Sequence, residues 1–87
     1  MRLDLFLKSS RLCLRRTVAQ KMCEAGLVLV NGIVAKSATT VKPGDELSLR
    51  RRERVTRIRI LSLPAARQTS RSDASSLYEI IEVTDEG

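Results

Sequence analysis

Histidine and tryptophan are missing from these 87 residues, and Phe6 and Tyr78 are the only aromatic side chains. Without histidine the chain lacks the commonest general base and the commonest metal ligand. Cys13 and Cys23, with nine residues between them, cannot complete a zinc set by themselves. Both cysteines have apolar neighbours, which favours two buried thiols in a reducing cytosol over a disulfide between helices. The four glycines stand singly at 26, 32, 44 and 87, so no glycine-rich phosphate loop occurs. Asp4 and Asp45 could be imagined as an acid–base pair, but a helix cap or first-turn anion and a turn residue are the roles their contexts favour. A chain this short also seldom builds a concave pocket. The expectation is a protein that is not an enzyme and needs no cofactor or metal.

Long apolar runs are missing too. The most apolar stretch, 25–35, holds Asn31 and two glycines and is far too short to span a bilayer. Charges at Arg2, Asp4 and Lys8 interrupt any signal-peptide core, which predicts a cytoplasmic protein. A membrane-surface role would need a long amphipathic helix, and none is visible.

What is plentiful is positive charge: 16 Lys and Arg against 10 Asp and Glu, a net +6. It is unevenly placed. Residues 1–59 hold 14 basic and 5 acidic side chains, whereas residues 60–87 hold 2 and 5. A basic body with an acidic end points to a polyanion. Scarce aromatics argue against stacking on unpaired bases, so structured RNA read through phosphate, ribose and shape is the expected ligand.

The apolar pattern supplies the elements. Leu3, Phe6 and Leu7 repeat at helical spacing and predict a short helix over 4–9. Val18, Ala19, Met22 and Cys23 form a stripe on a second helix over 16–25, with Thr17 or Arg16 at its start and Gly26 placed to end it. Leu27–Val30, Asn31-Gly32 and Ile33–Ala35 read as a hairpin with a type I′ turn. Pro43-Gly44-Asp45 fits a type II turn before a strand carrying Leu47 and Leu49. A strand over 55–61 should put Arg57 and Arg59 on the face opposite Ile58 and Ile60. Residues 64–76 read as a mobile loop, 77–83 as a last strand and 84–87 as an acidic tail.

Arg2, Lys8, Arg11, Arg15, Arg16 and Lys21 fall within twenty residues, and Lys36 and Lys42 flank the hairpin. Arg15 and Arg16 sit where the second helix should begin. Positive charge there opposes the helix dipole unless an anion offsets it, which favours a phosphate-binding role. The run Arg50-Arg51-Arg52-Glu53-Arg54 is less specific and fits RNA backbone contact and a solvated strand end equally well.

Met1-Arg2-Leu3-Asp4, Arg15-Arg16-Thr17, Gly26 to Gly32, Lys36 and Val41-Lys42-Pro43-Gly44-Asp45 together resemble the S4 RNA-binding domain. The resemblance implies a single α+β domain of the S4 (alpha-L) type over 1–87, with its motif core over about 1–50. Two main helices would pack on a small, mostly antiparallel sheet. Within that superfamily the chain is similar to short ribosome-associated quality control factors of the RqcP family, relatives of heat shock protein 15. This implies binding to obstructed large ribosomal subunits, at an rRNA hairpin (helix 69) and P-site peptidyl-tRNA, while an RqcH-type partner adds alanine tails. A monomer is the expected state when free. Arg2 and Arg16 match the family's RNA-contacting arginines, with Arg11 and Arg15 adjacent candidates and Lys8, Lys36 and Lys42 extending the patch. The rival readings are recycling of blocked subunits as in heat shock protein 15, and an RNA-binding subunit of an RNA-modifying enzyme.

Overall fold

A computed structural model describes residues 1–64, 74 and 76–85. Two helices, α1 (Leu3–Ser9) and α2 (Arg16–Glu24), precede five strands: β1 (Val28–Val30), β2 (Ile33–Val34), β3 (Glu46–Arg51), β4 (Arg54–Ile60) and β5 (Tyr78–Asp85). The strands form one sheet in the order β2-β1-β3-β4-β5, and every neighbouring pair is antiparallel.

One continuous core joins the helices to one face of the sheet. Leu3, Phe6 and Leu7 from α1 meet Ala19, Met22 and Cys23 from α2, Val28 from β1, Leu47 and Leu49 from β3, and Ile58 and Ile60 from β4. The alternation in β3 and β4 puts these apolar side chains inward and Arg57 and Arg59 outward, as their period of two requires. The helical stripe is narrower than its sequence suggests. Val18 is 42% exposed, because it lies one 100° step from Ala19, on the solvent edge of the stripe.

The turns follow their residues. Asn31 (φ 51°) and Gly32 (φ 83°) both adopt the left-handed conformation that a type I′ hairpin needs. Asn31 also fixes the hairpin to the next turn: its Nδ2 donates to Asp45 Oδ1 (3.2 Å) and its Oδ1 accepts from the Glu46 amide (3.0 Å). Asp45 N–H closes on Lys42 O at 3.1 Å across Pro43-Gly44. α2 starts at Arg16 after an extended Arg15, so Thr17 lies within the first turn and is not its cap.

The expected loop at 64–76 lies largely outside the described residues, although Ala74 is buried. Of the expected acidic tail, Thr84 and Asp85 instead continue β5, because β4 extends far enough to pair with them at Val55 and Arg54. A one-residue irregularity in β5 opposite Arg57/Ile58 leaves Ile81 without a partner in the register. Among the described residues no helix is long and apolar enough to cross a membrane.

Candidate nucleic-acid interface

The basic residues singled out from the sequence gather around the two helices, and an acid holds part of the group together. Asp4, in the first turn of α1, is fully buried. Its Oδ1 accepts from Nε of Arg2 (3.2 Å) and from the Leu5 amide (2.8 Å). Its Oδ2 accepts from Nη2 of Arg2 (3.3 Å), Nε of Arg16 (3.1 Å) and Nε2 of Gln20 (2.9 Å). Arg16 and Gln20 stand four residues apart, so one face of α2 presents both to α1. Burial alone would raise the Asp4 pKa. Hydrogen bonds from Gln20, Arg16 and Arg2 outweigh it and hold the carboxyl below its ordinary value of 3.8.

Asp4 is therefore a first-turn anion, as one of its expected roles had it, but no cap. The N-cap of α1 is Arg2, and no side chain caps that end. Its tie to α2 was not legible in the sequence, since twelve residues separate it from Arg16 and only the helix packing brings them together. It also answers the question posed by arginines at a helix start. The anion that offsets Arg16 is supplied by the chain itself. Arg15, the N-cap residue, is extended and makes no side-chain cap hydrogen bond.

The guanidinium groups remain accessible. The side chains of Arg2 and Arg16 are 48% and 43% exposed. Asp4 engages Nε and Nη2 of Arg2 and only Nε of Arg16, so donors that Asp4 does not engage remain on both forks. The loop carrying Lys36 and Lys42 is brought alongside Arg2. Leu3 N–H donates to Thr39 O (2.8 Å), Asp4 N–H to Ser37 O (3.1 Å), and Val41 N–H to Met1 O (2.8 Å). Lys8 lies in the last turn of α1, and Arg11 follows that helix with φ 61°.

Arg51 was grouped by sequence with a generic charge run, and its position is more particular. Its Nη2 donates to Leu12 O and lies 3.3 Å from Cys13 Sγ, so the end of β3 latches the segment between the helices. Arg52 makes a tight turn at φ 54°, and Arg54 pairs with Asp85 (3.1 Å). Arg57 and Arg59 also belong to the basic body by position, yet exposed carboxylates of their own sheet surround them. Arg57 meets Glu46 (3.0 Å) and Glu82 (3.7 Å), and Arg59 meets Glu79 (2.9 Å) and Glu46 (3.7 Å).

Cys13 and Cys23 are free and buried, as expected. Burial raises both thiol pKa values: Cys13 despite the nearby Arg51, and Cys23 to about 11. Cys13 Sγ lies 3.7 Å from Met22 Sδ, which packs the segment before α2 onto that helix.

Residues 1–47 match the S4 domain model. The chain is 48% identical to the RQC P-site tRNA stabilizing factor of Halalkalibacterium halodurans, over 92% of its own length and 89% of that protein's. It is 44% identical to the protein of the same name from Listeria monocytogenes, over 99% and 94%. The chain belongs to the S4-domain family of RQC P-site tRNA stabilizing factors. This family is one of noncatalytic RNA-binding factors. The fold also matches the trimeric structure of Vibrio cholerae heat shock protein 15, with a TM-score of 0.83 and 31% identity, covering 92% of this chain and 80% of that one. The expected α+β S4 fold, with two helices on an antiparallel sheet, is thus the fold of the family.

Proposed function

We propose that this protein binds large ribosomal subunits still carrying peptidyl-tRNA and steadies that tRNA in the P site during ribosome-associated quality control. The observation that carries the reading is the pair of half-exposed arginine side chains, Arg2 and Arg16, held on one buried carboxylate that leaves part of each fork unengaged. Such forks suit phosphate, and affinity for structured RNA comes chiefly from phosphate contacts. Arg11, Arg15, Lys8, Lys36 and Lys42 extend the surface around them. Large-subunit rRNA at helix 69 and P-site tRNA are the two RNAs the protein bridges, and an RqcH-type factor is the partner that adds the alanine tail. The protein works as a single 1–87 domain, monomeric when free, in the cytoplasm on the ribosome.

Sucrose-gradient sedimentation of the tagged protein tests this. Co-migration with large subunits that carry peptidyl-tRNA is the expected result, and migration only with free protein overturns the reading. The likeness to heat shock protein 15 favours a second reading, recycling of blocked subunits without tailing. Deleting the gene and following alanine tails on stalled chains separates the two: tails are lost under the first reading and persist under the second.

A further inference from the structure

The sheet turns twice on two-residue loops, and the two differ in how well their residues suit the turn. Between β1 and β2 the loop is Asn31-Gly32, the pair that positive φ favours. Between β3 and β4 the loop is Arg52-Glu53, closed by the cross-strand pair Arg51 and Arg54. Arg52 takes φ 54°, at the position that such hairpins give to Gly, Asn or Asp. Arg51 and Arg54 set like charges directly opposite each other, which destabilises a strand pair. Four consecutive residues thus work against their own turn. Departures of this kind from local preference gather at functional sites.

These residues surround an open cleft of about 780 Å³, lined by Arg51, Arg52, Glu53, Arg54, Thr56 and Asp85. All but Thr56 are exposed. Asp85 answers Arg54 at 3.1 Å. Arg51 meets the Leu12 carbonyl and the Cys13 sulfur, which carry no charge to set against its own. Three arginines against two acids leave the cleft positive. Guanidinium forks and the Thr56 hydroxyl offer donors to an anion with several oxygens. The bond from Arg51 to Leu12 sets the cleft beside the connector that follows the C-terminal end of α1, whereas Arg2 precedes its N-terminal end. Seven helical residues rise about 10 Å, so the cleft and the Asp4 cluster belong to opposite ends of that helix.

We propose that the cleft at the β3–β4 turn is a second binding site for RNA backbone phosphate, separate from the helix-side arginines, with Arg52 and Arg54 as its contacting side chains. This goes beyond the RNA-binding reading above and rests on it.

Binding of the full chain to bulk tRNA, followed by fluorescence anisotropy from low to moderate salt, tests the site. Arg52→Gly removes the side chain and gives the turn the residue its φ prefers. It should melt at or above the wild-type temperature. It should nevertheless bind tRNA about fivefold more weakly, with the log–log salt slope reduced by about 0.9 for the one phosphate lost. Arg59→Gln lowers the formal net charge by the same step, from +6 to +5, on the outer face of the sheet. It should leave affinity within about twofold of wild type. Wild-type affinity in Arg52→Gly overturns the site. Equal losses in the two variants overturn it as well, because a diffuse field then accounts for both.

A competition at fixed ionic strength separates RNA phosphate from free phosphate. Inorganic phosphate should displace tRNA no better from wild type than from Arg52→Gly. Displacement from wild type alone would make the cleft a free-phosphate site and overturn its assignment to RNA. A wild-type protein with no salt-dependent tRNA binding defeats the RNA reading itself. That outcome differs from a wild type that binds and an Arg52→Gly variant that binds equally well, which defeats only the second site.

Discussion

Arginine meets carboxylate in two regions of this molecule, with opposite results. Beside the helices, two half-exposed arginines share one fully buried aspartate, and the local balance stays positive. On the outer face of the sheet, Arg57 and Arg59 are surrounded by Glu46, Glu79 and Glu82, all substantially exposed, and the balance is negative. Counting charge along the chain places all four arginines in the same basic body. Of these two pairs, only the first keeps a positive local balance among the described residues. A buried acid directs its arginines, because its geometry is fixed by packing and its bonds are poorly screened. Exposed acids neutralise theirs and add little stability.

The largest expected effect lies on the helix side. Arg16→Ala should abolish co-sedimentation with large subunits, and Arg16→Lys should restore it only in part, because lysine keeps the charge and loses the planar fork. Full activity of the alanine variant would erase the distinction between the two regions.

Next comes stability. Asp4→Ala should cost about 2 kcal/mol in denaturant melts, a figure already reduced because both arginine partners are half-exposed. The folded-state pKa of Asp4 is depressed, so its stabilisation is fully present above the unfolded value near 3.8 and is lost as pH falls from there through the folded pKa. The wild type should therefore lose more stability than Asp4→Asn on acidification below pH 3.8. Parallel acid limbs for the two proteins would contradict the assignment.

Arg51→Ala should have an intermediate effect. Losing its bond to Leu12 O frees the segment bearing Arg11 and Arg15, at about 1 kcal/mol in stability and a few-fold in RNA affinity. A loss confined to affinity, with an unchanged melting temperature, would return Arg51 to a plain surface charge.

The smallest effect belongs to the sheet. Arg59→Ala should change stability by less than about 0.5 kcal/mol and tRNA affinity by less than about twofold. A loss as large as that of Arg16→Ala would place RNA on the sheet face and invert the comparison.

The fold was largely legible because its signals are local. Asn31-Gly32, Pro43-Gly44 and the two apolar periods each specify their own element, and each formed where its residues called for it. The family motifs likewise marked Arg2 and Arg16. Long-range polar pairing was not legible. Nothing near Asp4 in sequence points to Gln20 or Arg16, and nothing near Arg51 points to Leu12, 39 residues away. The same blindness made Arg57 and Arg59 count as basic, because the acids that answer them in β5 belong to a segment whose pairing only the closed sheet defines. Val18 and the end of β5 differed from expectation because the width of a stripe and the length of a strand depend on what lies opposite.

The two buried thiols give this small protein a built-in clock. Thiol reagents attack the thiolate, and both cysteines are shielded from solvent with their protons held on, Cys23 up to about 11. Labelling at neutral pH must wait until α2 and the segment before it part from the core, so its rate reports how often that happens. Because α2 and that segment also carry Arg15 and Arg16, an RNA that grips them slows the clock. Occupancy of the interface then becomes readable as a rate of modification at sulfur atoms that the RNA never touches.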